Sequence, residues 1–305
     1  VPPDVALVAP YPPAGVRHGG HSGVASYTAN LAHALADAGV HVEVIADRLE
    51  GDPEHFRDGP VQVRRAFTLG PGALPAAAAA ALATGAAAVH LQWELFLYGG
   101  PPSLPGLFPA LAGLRRARAA RPLVTTMHQV IDPSEIDRHY TRLHRVGVPP
   151  IVARTGLATV QSTLNRASSA VVVHEEPFRQ WVPGARVIPH GIEVREPADR
   201  DESRRHLGID RDRFVALCFG FLAPYKGVEV VLDAAALTGP GVEVVIAGGE
   251  HPRLAGRDEF ATALRREYGH AARFTGWVPE DDVARWFAAA DVAVFPYPKP
   301  FAASG

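Results

Sequence analysis

The stretch FVALCFGFLAPYKGVEVVLDAAAL, residues 214–237, decides the fold. It opens with an apolar run that reads as a buried strand ending at Gly220. A short loop follows, and Lys226 and Gly227 then open a helix. A lysine in that place can set its ammonium on a diphosphate, beside the unpaired N–H groups of the helix start. A solvated loop lysine is the plainer alternative. Strand, short loop, Lys-Gly and helix in succession favour the phosphate. The segment is not a P-loop, because G-x-x-x-x-G-K-[ST] is absent.

The same rhythm extends in both directions. Downstream come strand VEVVIAGG, helix DEFATALRREY, short strand ARFTG, helix EDDVARWFAAA and strand DVAVFPYP. Upstream, Val5–Ala9, Val40–Ala46, Val61–Phe67, Ala88–Gln92, Leu123–Met127, Ala170–Val173 and Arg186–Pro189 read as strands. Helical stretches such as Val24–Ala38 and Ile151–Arg166 lie between them. The first places Val24, Tyr27, Leu31, Leu35 and Ala38 on one side, with Gly39 at its C-terminal cap. Strands alternating with helices predict an α/β protein with parallel sheets covered on both faces. The polar segment EVREPADRDES, residues 193–203, reads as a linker, which divides the chain into domains over residues 1–195 and 196–305. The second series shows about four strands where a full doubly wound sheet has roughly six. The second domain is therefore expected to be incomplete at its C-terminus, and the chain to be a fragment.

Composition sets bounds. The 305 residues are 47% hydrophobic and 20% charged, as suits a soluble protein of two domains. A net charge of −2 gives no reason to expect nucleic acid. The single cysteine, Cys218, reads as a buried strand thiol, which with the absence of a signal peptide before Val1 suggests a cytoplasmic setting. The alanine-rich residues 72–89 lack the Leu, Ile and Phe of a membrane span and read as a helix packed on a sheet. The basic stretch ALAGLRRARAARP, with Arg115, Arg116, Arg118 and Arg121, reads as a solvated face or as a place of peripheral membrane contact.

Further residues stand where open α/β sheets bind ligands, at the carboxyl ends of strands. Gly19, Gly20 and Gly23 precede the first helix, where backbone amides can approach a phosphate. Their spacing is not the dinucleotide fingerprint. Asp47, ending the second strand, either holds a ribose or is a solvated strand end. His128 ends the strand PLVTTM and can meet a sugar hydroxyl or orient an acceptor; a structural histidine is the alternative, and a stronger one for His174 after AVVV. Pro189, His190 and Gly191 fall at the domain junction, where Gly191 permits close backbone approach. Val278 and Pro279 sit in a loop able to line a flat base, and Trp277 reads as packing. His139 and His144, five apart, lack the same-face spacing of a metal pair, there is no Cys cluster, and no G-x-S-x-G elbow is present.

In this order, the GG-x-x-G loop, TTMH, VVVH, IPHGIE, PYKG, VVIAGGE, FTGWVPEDDVARWFAAADVAVFPY and the terminal SG resemble the retaining glycosyltransferases of family 4. These have the GT-B fold, two Rossmann-like doubly wound domains facing a cleft. The resemblance covers almost the whole chain. It implies a UDP- or GDP-sugar donor and a saccharide, lipid or small-molecule acceptor, with no cofactor and no obligatory metal. Lys226 would neutralise the departing diphosphate and His128 would contact the transferred sugar. Gly20, Gly23, Gly191, Gly227, Val278, Ser304 and Gly305 would complete the donor site. Trp93 and Glu94 would lie on the acceptor side. Where many relatives carry arginine near the PYKG segment, this chain has Phe221 and Ala223. The family's E-x7-E pair is not completed, with Phe301 at its first position. Two other readings share the architecture: a nucleotide-sugar 2-epimerase, which needs an acid/base set at the sugar ring, and a non-catalytic nucleotide-sugar-binding module.

Overall fold

Parallel strands alternate with helices along the chain, as the apolar runs and their spacing require. The computed structural model describes residues 1–16, 22–117, 120–143, 146–192, 194, 196–250 and 259–297. They fall into two units, Val1–Ile192 and Glu193–Pro300.

The first unit runs β1 (Val5–Val8), α1 (Gly23–Asp37), β2 (Val42–Asp47), β3 (His55–Asp58), β4 (Val61–Phe67), α2 (Ala73–Ala83), β5 (Ala88–Trp93), α3 (Leu104–Arg116), β6 (Leu123–Met127), α4 (Arg138–Leu143), α5 (Pro150–Ala167), β7 (Ala170–Val173) and β8 (Arg186–Val187). Its sheet has the order β3-β4-β2-β1-β5-β6-β7-β8. Every pairing is parallel except β3 with β4. Side chains on β1 alternate between faces. Ala6 and Val8 enter the core formed with α2, α3 and α5, while Leu7 enters the one formed with α1. Both faces are therefore covered, which is why the strand is apolar throughout.

The alanine-rich segment is α2, with Ala73, Leu74, Ala77, Ala78 and Ala81 buried. Small side chains there let α3 come close. A Cβ on Gly106 of α3 would meet the Pro71 carbonyl at 2.7 Å. In this unit two elements went unforeseen, β3 and α4. β3 carries a charged, half-exposed pattern at the sheet rim, and α4 is barely more than one turn.

The second unit runs α6 (Arg200–Leu207), β9 (Phe214–Phe219), α7 (Val228–Ala235), β10 (Val242–Ala247), α8 (Glu259–Tyr268), β11 (Arg273–Gly276), α9 (Glu280–Ala289) and β12 (Val292–Ala293). Its parallel sheet has the order β11-β10-β9-β12. The linker expected over 193–203 is corrected here, because its last residues begin α6. The Asp199 carboxylate accepts a 2.7 Å bond from the Glu202 amide. Asp201 and Glu202 occupy the first turn and Arg204, Arg205 and His206 the last, each sign at the favourable end of the helix dipole. Composition alone read those charges as linker. Arg204, 2% exposed, is the hub of this unit. Its guanidinium donates to the carbonyls of Ala289, Arg211 and Arg213 at 2.9, 2.7 and 2.9 Å, and to the Asp291 carboxylate at 2.8 Å.

Candidate functional site

In the first unit, β6, β7 and β8 are neighbours, and each leads into one histidine. His128 follows Met127, His174 follows Val173, and His190 stands three residues beyond Val187. The three rings meet: His128 and His174 have centroids 4.9 Å apart, and His174 and His190 5.0 Å. Tyr27, from the second turn of α1, lies against all three, with centroid distances of 4.7, 5.5 and 4.7 Å. Hydrogen bonds fix the group. His128 Nε2 lies 2.7 Å from Gln92 Oε1, His174 Nδ1 lies 3.0 Å from the Ile188 carbonyl, and His190 Nδ1 lies 3.0 Å from the Gly191 carbonyl. The loop after His128 is held by buried Gln161 of α5, which accepts from the Ile131 amide and donates to its carbonyl.

Burial depresses all three imidazoles. His128 is held well below the usual histidine range by desolvation first, and then by the neighbouring His174, His190 and His90. His174 is lowered by burial against the opposing bond to Ile188, and His190 by burial against the bond to Gly191. The cluster is thus a set of neutral bases at the carboxyl edge of the sheet, able to accept hydrogen bonds or to ligate a cation.

Several expected site residues have other work. Trp93 is 2% exposed and stacks on Tyr98 at 6.2 Å, so its side chain belongs to the core and cannot reach an acceptor. Its neighbour Glu94 is half-buried. Asp47 is not the solvated strand end that was one of its two readings. It is 2% exposed and pairs with Arg65, which also donates to the carbonyls of Tyr11 and Pro12 and to the Asp52 carboxylate. Gly23 is the first residue of α1, and before it the Ser22 hydroxyl is buried with no partner. Gly191 leaves open space where a side chain would stand. Gly19, Gly20, Arg118, His144, Phe301, Ser304 and Gly305 lie outside the described residues. Tyr27, Gln92 and Gln161 were not singled out as site residues, since a tyrosine on an apolar helix stripe and glutamines in a strand and a helix carry no motif.

In the second unit, β9 ends at Phe219, and Pro224–Lys226 form a single helical turn before α7. Gly227 caps that turn at φ 65°, a backbone conformation that favours glycine. Lys226 folds back over the strand end, its Nζ against Gly220 where any Cβ would collide with it. Gly220 itself has φ 122°, so two constraints select glycine there. Burial lowers the Lys226 ammonium below its usual range. Among the described residues no carboxylate pairs with it. A half-buried cation beside the start of α7 is of the chemical type that can meet an anion. The Val278 side chain is buried in the core with Val215, Leu217 and Trp286, so the loop would offer a base only its backbone. Trp277 is the reverse of the packing residue expected: it is 64% exposed, and its ring leans on Phe221 at 5.8 Å.

Residues 22–195 match the family described as glycosyl transferase 4-like domain, and residues 199–303 the family described as glycosyl transferases group 1. A D-inositol 3-phosphate glycosyltransferase from Mycobacterium ulcerans (strain Agy99) is 28% identical over 310 residues, covering 96% of this chain. The chain spans 65% of the length of that relative. Among solved structures, sucrose-phosphate synthase from Thermosynechococcus elongatus superposes with a TM-score of 0.72 at 21% identity, over 99% of this chain and 76% of that one. Anabaena HepE in complex with UDP and glucose superposes with a TM-score of 0.63 at 19% identity, over 98% of this chain and 76% of that one. At these identities the shared property is the fold.

Proposed function

Because the chain belongs to the group 1 glycosyl transferases, with a first unit of the glycosyl transferase 4-like kind, we propose that it moves a sugar, with retention, from a UDP- or GDP-sugar to a saccharide, lipid or small-molecule acceptor. The observation that carries this reading is Lys226, a cation with no carboxylate partner among the described residues, held over the end of β9 beside the start of α7. As the bond between sugar and phosphate breaks, negative charge grows on the departing diphosphate. A fixed cation in a partly desolvated place stabilises that charge without having to reorganise, and it does so in place of an obligatory metal ion. His128, neutral and gripped by Gln92, is assigned to the transferred sugar, and Gly23 with the α1 amides to the donor phosphates or the acceptor. Glu94 is assigned to the acceptor side. The setting is cytoplasmic, with the exposed arginines of α3 making transient contact with anionic lipid.

The experiment is a donor panel with the intact protein, UDP-glucose first because Anabaena HepE is known with UDP and glucose. Nucleotide release and the anomeric configuration of the product are followed. Lys226→Ala is expected to weaken donor binding about 10- to 100-fold, equivalent to about 1.4–2.8 kcal/mol. Undiminished binding would remove the proposed diphosphate contact. Epimerised donor in the absence of acceptor would replace transfer with isomerisation.

A further inference from the structure

We propose that His128, His174 and His190 form a binding site for a divalent transition-metal cation of the zinc class. The register sets Met127 opposite Val173 and Val173 opposite Val187, so β6 and β7 deliver His128 and His174 at one level, and His190 joins them from the segment two residues farther past β8. One ring nitrogen from each lies within 4.8 Å of the other two.

Proton placement is the stronger argument. The carbonyls of Ile188 and Gly191 can only accept, so His174 and His190 each carry hydrogen on Nδ1. Their neutral rings then hold lone pairs on Nε2. Gln92 Oε1 can only accept, so His128 carries hydrogen on Nε2 and its lone pair on Nδ1. The Gln92 amide is backed by His90, whose Nε2 lies 3.2 Å from its Nε2 and 2.8 Å from the Thr126 hydroxyl. Consequently His128 Nδ1 and His174 Nε2 face each other at 3.2 Å with no proton between two neutral rings. A metal ion resolves this opposition. It takes one lone pair from each imidazole while every N–H keeps its carbonyl, which is the outer-shell pattern of metal-bound histidine. With Zn–N bonds of about 2.0–2.1 Å, ligand nitrogens lie about 3.4 Å apart. His190, partly exposed on the segment after β8, is the ring placed to close the remaining gap. Three imidazoles leave the fourth position for water or a ligand. If His128 contacts the transferred sugar, a cation held there competes with the donor; that consequence alone rests on the proposed transferase reading.

The test uses the full chain, stripped with chelator and titrated with Co2+ alone. Visible d–d bands of a four-coordinate nitrogen site are expected, lost when one equivalent of Zn2+ is added. His190→Ala and Gln92→Leu are each expected to weaken binding by about 10-fold or more, with metal-free melting curves showing that each variant is folded. Should Gln92→Leu fail to fold, His190→Ala carries the test. No Co2+ spectrum with the full chain overturns the site, as does a spectrum that survives unchanged in folded His190→Ala. Co2+ binding without sugar transfer would leave the site standing and remove the transferase reading, while transfer without Co2+ binding would do the opposite.

Discussion

Two neighbouring side chains at the end of one strand show how far residue type alone misleads. Trp93 and Gln92 both lie at the carboxyl end of β5, and only the glutamine reaches the histidines. Trp93 turns inward and stacks on Tyr98, whose hydroxyl ties the Val8 and Gln92 carbonyls together. Trp93→Ala is expected to cost about 3–5 kcal/mol of stability through the cavity it leaves, while the acceptor KM of the folded fraction stays unchanged. Denaturant unfolding and acceptor kinetics on the same preparation check this, and a raised KM at wild-type stability would return Trp93 to the acceptor site. The error has a simple cause: a bulky aromatic at a strand end looks like a ligand platform in a sequence, and strand alternation decides which way it points. For Lys226 the sequence marked only the strand, short loop and Lys-Gly; that its ammonium folds back over the strand end is seen in the structure. Gly220, which makes room for its ammonium, was legible only as a strand end.

Among the elements, α3 separates two kinds of arginine. Arg115 and Arg116 are exposed in its last turn, and Phe108, seven residues before Arg115 and so on the same side, is 44% exposed. Arg121, read from the sequence as part of the same basic face, instead donates to the Leu82 carbonyl at 2.6 Å and serves the packing of α2. Among the described residues no helix is long and apolar enough to cross a membrane. Vesicles rich in phosphatidylserine are expected to bind the protein at low salt and release it at about 0.5 M salt, since screening acts within a few ångströms there. Arg115→Glu with Arg116→Glu should abolish sedimentation with them. Binding that ignores salt, or that survives both charge reversals, would rule out the arginine face. While α2 was read from its alanine-rich composition, periodicity revealed α1, which buries a stripe. It missed α6, whose stability comes from a cap, end charges and one buried arginine rather than from apolar residues.

For the molecule as a whole, the two parallel sheets were legible because alternation of strand and helix leaves few other topologies. The histidine cluster was not, because its members stand 46 and 16 residues apart and meet only through the β6-β7-β8 order. Acid tolerance should depend on the Arg204 hub. Burial alone would raise the Asp291 carboxyl, but the Val215 amide and the Arg204 and Arg200 guanidiniums hold it below the usual carboxylate range. A carboxyl depressed in the folded state stabilises above its unfolded value, about 3.9, and that contribution fades as pH falls through the folded one. Asp291→Asn is therefore expected to cost about 2–4 kcal/mol at pH 7 by leaving the buried Arg204 guanidinium its carbonyls but no counter-charge, with the gap to wild type narrowing toward pH 3. Unfolding curves at both pH values measure it, and a gap independent of pH would contradict the charge pairing.

The rims of the eight-stranded sheet differ from its middle. One is β3, antiparallel, four residues long, with His55 and Arg57 exposed; the other is β8, only two residues long. Neither offers an incoming chain a long, flat, apolar row of amides and carbonyls. Crowded at high concentration, the first unit should stay dispersed rather than recruit its own copies into ribbons.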